Sequence, residues 1–249
     1  MAKLALLANS DIQIKIILTS VENSVLSSGE GPLAQYYKLL SKLGRVLIPT
    51  LNIEYLEVTS VNSAESKVYI AEFSPDVLFS CRLASVLKQD TIDLFRSLFN
   101  VHSGPITKYR GVENVLQQMN NRESIIGGTF HYLVAKLDAG GIIKIVENPV
   151  HNDLFWNNLL LYLSGVDYFF DVVLPQLREG NKPDSDTSYS IGTYYKIASQ
   201  TQLKTFHDNG YTFINLDKLR DIFHQYDIPI ELLDSSVEAD VVKMNLPIE

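Results

Sequence analysis

Apolar and polar positions along the chain repeat with two periods, one extended and one helical. Residues 12–19 (IQIKIILT) alternate at first and are apolar afterwards, which predicts a strand. A Ser/Gly-rich loop follows at 21–32. Residues 33–43 then repeat Leu and Tyr at helical spacing as far as Gly44, which is expected to end that helix. Residues 46–48 read as a short strand before Pro49, and 52–62 are ambiguous. Ser63 opens a helix through Phe73, with Glu65 and Ser66 in its first turn. Residues 76–81 (DVLFSC) form a buried strand, 98–102 a second, and 112–120 a helix starting directly after Gly111. Residues 129–137 (TFHYLVAKL) are β-branched and aromatic, hence another strand, 142–146 the next, and 153 to about 179 a long apolar helix. Helix and strand in this order predict an α/β architecture with a doubly wound, mostly parallel sheet flanked by helices.

The tail differs in texture. Residues 180–186 are a polar loop, 189–198 are rich in Tyr, Ser and Gly, and 201–209 and 217–226 read as short helices. Residues 1–180 are therefore expected to form the main domain, and 181–249 a small C-terminal extension packed on it. The greasiest stretch, 154–166, contains Asn157 and Asn158 and is shorter than a membrane span, so it reads as a buried helix with Trp156, Tyr162, Phe169 and Phe170 in the core.

Composition narrows the function. A chain of 249 residues, 46% hydrophobic and 20% charged, has the balance of a soluble globular protein. A formal charge of −8 argues against a protein built to grip a phosphate backbone. The single cysteine, Cys81, cannot form an internal disulfide, and residues 1–7 are too short for a secretory signal. A reducing compartment, the cytoplasm, is the expected home. His131, His151, His207 and His224 have no metal-ligand spacing, so no metal is expected, and neither a dinucleotide fingerprint nor a phosphate-binding Gly-rich loop occurs.

Candidate chemistry lies between Asn100 and Ile143. In an extended segment Asn100 and His102 point to one face, and the strand expected at 129–137 delivers Asp138 just before Ala139-Gly140-Gly141. Ligands bind at the carboxyl ends of strands in open α/β sheets. An amide donor, an imidazole and a carboxylate together can hold negative charge on a carbonyl oxygen and move protons, as acyl transfer to an amine requires. A histidine at a strand end also serves as an ordinary hydrogen-bonded structural residue, and spacing does not separate the two.

The motifs go further. Asn100-Val-His102 followed by Tyr109-Arg110-Gly111 aligns without a gap on the N-x-H-P-S-L-L-P-x-Y-R-G segment of formyltransferases that use N10-formyltetrahydrofolate. A later segment matches through His131, Val134, Asp138, Gly140, Ile142 and Ile143. The chain resembles that family best over residues 76–150; Ser103, Gly104, Pro105 and Thr107 depart from the usual loop. The resemblance implies a Rossmann-like catalytic domain, with Asn100, His102 and Asp138 as catalytic residues and N10-formyltetrahydrofolate as formyl donor. It also implies pterin contact by Arg82, Leu83, Ala135, Lys136 and Leu137. Lys108, Tyr109 and Arg110 fall where a phosphorylated or nucleotide-linked acceptor would approach, although a solvated loop or a surface salt bridge accounts for Arg82, Lys108 and Arg110 nearly as well. Family members usually begin one strand earlier, so the first strand is expected to be missing or degenerate here.

Because the tail is too short and acidic to resemble the tRNA-binding barrel of some members, the expected acceptor is a small-molecule amine, foremost a nucleotide-linked amino sugar. No nucleic-acid or membrane partner is expected, and a homodimer is left open. A formyltetrahydrofolate hydrolase of the same fold and a non-catalytic scaffold are the alternatives.

Overall fold

A computed structural model describes residues 12–19, 31–83 and 85–246. The readings of residues 1–7 and of a missing or degenerate first strand, and most of the Ser/Gly-rich loop, lie outside them. In chain order the elements are β1 (Ile16–Thr19), α1 (Pro32–Leu47), β2 (Tyr55–Val58), α2 (Ala64–Phe73), β3 (Val77–Cys81), β4 (Ser97–His102), β5 (Tyr109–Gly111) and α3 (Asn114–Asn120). There follow β6 (Ile125–Tyr132), β7 (Ile142–Pro149), α4 (Leu154–Tyr168), β8 (Thr193–Tyr195), α5 (Gln200–Asp208), α6 (Leu216–Gln225) and α7 (Ser235–Met244). A π turn at Phe169–Val173 continues α4 into Leu174–Arg178, so the long apolar helix expected from residue 153 to about 179 forms as one run.

The chain divides into two compact units, one built from residues up to Tyr69 together with Phe213–Leu246, the other from Ile70–Thr212. The expected extension is thus shared: 181–212 fall in the unit that carries the candidate chemistry, 213–246 in the other. In the first unit β1 and β2 pair in parallel, Ile16 opposite Tyr55. Pro32 starts α1, which buries Leu33, Ala34, Tyr36, Tyr37, Leu39 and Leu43. Gly44 does not end it. The Ile48 N–H donates to the Gly44 carbonyl, and the helix absorbs the strand expected at 46–48 because continuing the ladder keeps backbone groups paired. Tyr36 packs on Phe213 at 5.8 Å, and Asp234 caps α7 by accepting from the Ser236 and Val237 amides.

The second unit holds a four-stranded sheet in the order β3-β4-β6-β7. β3 and β4 are parallel, as in the expected α/β sheet, whereas β6 and β7 join antiparallel and close the sheet as a hairpin. Phe99, Val101, Phe130, Phe169 and Val173 form its buried core, Phe99 and Phe130 stacking at 5.6 Å. Each such side chain contributes on the order of 2 kcal/mol by leaving water. Gly165 brings α4 against β4, since a Cβ there would lie 2.5 Å from Val101 Cγ2. No described helix is long and apolar enough to cross a membrane.

β6 ends at Tyr132, five residues earlier than expected. The Leu133 N–H still donates to Leu98 O and the Tyr132 N–H to Gly141 O, but Val134–Leu137 have no neighbouring strand and stand exposed. Asp138 is therefore delivered by a loop, not by a strand. β5, missing from the sequence reading, pairs in parallel with β8 of the tail, Arg110 opposite Tyr194. Residues 183–195 thereby run along the segments around Tyr109 and Gly140, to which the Tyr189 hydroxyl donates.

Candidate functional site

Strand pairing creates a polar row. Ser80 on β3 lies opposite Asn100 on β4, and Asn100 opposite His131 on β6, so three polar side chains form one row across the sheet. The His131 Nδ1–H donates to the Tyr132 carbonyl at 2.8 Å, leaving Nε2 to accept from Asn100 Nδ2 at 3.1 Å. One amide hydrogen of Asn100 is thereby fixed, and the group retains a second to offer. His131 is 3% exposed, and burial pushes its pKa from the ordinary 6.5 down to about 4.

His102 ends β4, 8% exposed. Its Nδ1 lies 3.3 Å from Asp138 Oδ1, while Nε2 lies 3.0 Å from Asn114 Nδ2 and 3.2 Å from the Tyr109 carbonyl oxygen. Burial lowers the imidazole pKa, opposed by the Asp138 charge and the Tyr109 carbonyl and assisted by Arg110. Asp138 is equally buried, and its second oxygen accepts from the Gly111 amide at 3.3 Å. Its backbone is left-handed, φ 47°, as are those of Arg82, φ 56°, and Glu113, φ 60°. Three non-glycine residues in this sparsely populated region border one cluster, and such strain persists where surrounding structure imposes it.

The loop 103–108 that departs from the family pattern is nevertheless pinned. Thr129 Oγ1 donates to the Gly104 carbonyl and accepts from the Ile106 amide, and Gln118 Nε2 donates to the Ser103 carbonyl. Thr129, Gln118, His131 and Asn114 were not among the candidate residues. The family motif contained His131, but no local signal tells which residues face Asn100 and His102 across strands.

The remaining candidates divide by exposure. Tyr109 is 1% exposed, stacked on Tyr195 at 5.4 Å, with its hydroxyl donating to Glu123 and accepting from Asn121. What it presents to the cluster is its carbonyl. Lys108 pairs with Glu123, while an Arg110 guanidinium N–H donates to the Leu137 carbonyl at 2.9 Å, tying β5 to the loop that carries Asp138. Arg82 stands exposed just past β3, with Leu83 half-buried, and Ala135, Lys136 and Leu137 line the exposed face of the loop after β6. Among the described residues no three His, Cys, Asp or Glu side chains gather in a way that could hold a metal ion.

His131 links this site to stability. Its folded pKa lies below its unfolded value, so the unfolded chain binds the extra proton first on acidification. Its contribution is present in full above about pH 6.5 and is lost as the pH falls towards 4. We expect stability to fall by about 1.4 kcal/mol per pH unit in that window from this group, and the slope to flatten in His131→Asn, measured by urea unfolding at several pH values. Equal slopes in both proteins would show His131 to titrate normally.

An α/β unit with an amide, an imidazole and a carboxylate gathered past its central strands has the equipment of a group-transfer protein. The chain shares 25% identity over 209 residues with the methionyl-tRNA formyltransferase of Macrococcus caseolyticus, covering 81% of this chain and 67% of that one. It shares 28% over 155 residues with that of Thermotoga maritima, covering 61% and 49%. A solved sugar N-formyltransferase from Shewanella sp. is similar at 18% identity and TM-score 0.48, over 77% of this chain and 78% of that one. No family model matches. The chain is a relative of the formyltransferases, and it spans about half to two thirds of the length of the two methionyl-tRNA formyltransferases.

Proposed function

We propose that this protein moves a formyl group from N10-formyltetrahydrofolate to the primary amine of a small acceptor, foremost a nucleotide-linked amino sugar. The observation that carries this reading is the Asn100, His102 and Asp138 cluster, with imidazole and carboxylate 3.3 Å apart, in a relative of the formyltransferases. The donor supplies an activated formyl group on N10. Asn100, aligned by His131, donates to the formyl oxygen as the amine attacks and negative charge builds there. The neutral His102, with Asp138 beside it, takes up the proton that the amine loses. It returns that proton to N10 as the carbon–N10 bond breaks, so one C–N bond forms and one is lost.

Exposed Val86, Val134 and Leu137, on the loops after β3 and β6, offer apolar surface suited to a pterin, with Arg82, Leu83, Ala135 and Lys136 around them. Lys108 and Arg110 provide positive charge for a phosphorylated acceptor. A small acceptor is favoured over tRNA by the net charge of −8.

The test is to incubate the full chain with N10-formyltetrahydrofolate and nucleotide-linked amino sugars, methionyl-tRNA, or no amine, and to read products by mass. A formamido sugar is expected. Formylated methionyl-tRNA alone would overturn the small acceptor, free formate alone would make the protein a hydrolase, and no binding of folate would leave only a scaffold.

A further inference from the structure

We propose that Asn114 is a positioning residue that holds His102 neutral with its ring proton on Nδ1, facing Asp138. The argument rests on which atoms can donate. Asn114 Nδ2 lies 2.9 Å from the Gly111 carbonyl oxygen, an acceptor only, so the amide nitrogen and not the amide oxygen must occupy that place. The same nitrogen lies 3.0 Å from His102 Nε2, which therefore accepts and carries no hydrogen. The proton of the neutral ring is left on Nδ1, which lies 3.3 Å from Asp138 Oδ1. Turning the amide over would set two oxygens against each other at Gly111. The amide keeps its orientation although its own Oδ1 is buried without a partner among the described residues.

The carbonyl of Tyr109, 3.2 Å from Nε2, completes the arrangement. It becomes the partner of Nε2–H once a second proton arrives. Asn114 thus favours the neutral ring and Tyr109 the charged one, at the same nitrogen. The groups facing the ring are Asp138 from the loop after β6, Arg110 and the Tyr109 carbonyl from β5, His131 from β6, and Asn114 from α3. Among the described residues, Asn114 is the one that donates to Nε2. Gly104 gives it room, since a Cβ there would lie 2.9 Å from Asn114 Cβ. The role in proton transfer rests on the function proposed above; the tautomer does not.

The test is nitrogen NMR on the full chain with 15N-labelled histidine, the His102 signals assigned by their loss in His102→Gln. In the unaltered protein Nε2 of the neutral ring should resonate as an unprotonated nitrogen and Nδ1 as a protonated one; the reverse overturns the proposal. Asn114→Ala removes the donor and should raise the pH at which His102 titrates. Asn114→Asp places a negative charge there and should raise it further, by about one to three pH units. The acid limb of the formyl-transfer rate should move upward in the same order. A residue that only packs would leave these titrations coincident, which also overturns the proposal, while absence of transfer in the unaltered chain would strike the functional reading and leave the tautomer standing.

Discussion

Asp138→Asn is expected to lower formyl transfer by about a hundredfold to ten-thousandfold while leaving tetrahydrofolate binding in place. One Asp138 oxygen lies 3.3 Å from His102 Nδ1, and the other accepts from the Gly111 amide. Asparagine keeps the size and tolerates the left-handed backbone at φ 47°, so the loop is not asked to move. What changes is charge and proton affinity: the amide holds no charge to stabilise an imidazolium, and its NH2 face can turn the ring to the wrong tautomer. Losing a positioned base or its orienting carboxylate costs rate on this scale in other acyl-transfer sites. Steady-state rates at saturating donor, with folate titration as the control, check it. A variant within threefold of the parent would remove Asp138 from the chemistry.

Gly140→Ala is expected to be the most damaging substitution for structure. A Cβ there would sit 1.7 Å from the Tyr132 carbonyl oxygen and 2.7 Å from its carbon, both backbone atoms that cannot swing aside. The turn 133–141 folds back on the end of β6 through the Tyr132 N–H to Gly141 O bond, and the Gly140 carbonyl accepts from Tyr189. Separating these strands should cost about 3 kcal/mol or more, lowering Tm by roughly 6–12 °C for a chain of this size, and should loosen Asp138 two residues away. Thermal unfolding decides it, and an unchanged Tm would mean that the turn does not close as described.

These two residues also mark how far the sequence could be read. Asn100 and His102 were recognisable as neighbours on one face because a strand alternates with period two, and β4 forms where its apolar residues predicted. Asp138 and Gly140 were found through a motif. The strand thought to carry Asp138 stops at Tyr132, since beyond it no neighbour remains to pair with and the exposed residues 134–137 gain nothing by staying extended. Likewise α1 runs past Gly44, because six buried side chains and an unbroken ladder outweigh the roughly 1 kcal/mol preference of glycine for leaving a helix.

Local periodicity by itself determined most of the strand–helix order, though not β5 or β8, together with the buried helix after residue 153 and the two polar side chains at the end of β4, since each depends on neighbours a few positions apart in the chain. Only the tertiary structure decided that β6 runs antiparallel beside β4, which sets His131 against Asn100, and that α3 lays Asn114 on the ring of His102. Those partners are 31 and 12 residues away along the chain, and their meeting is set by strand register and loop closure, to which no short window of residues is sensitive.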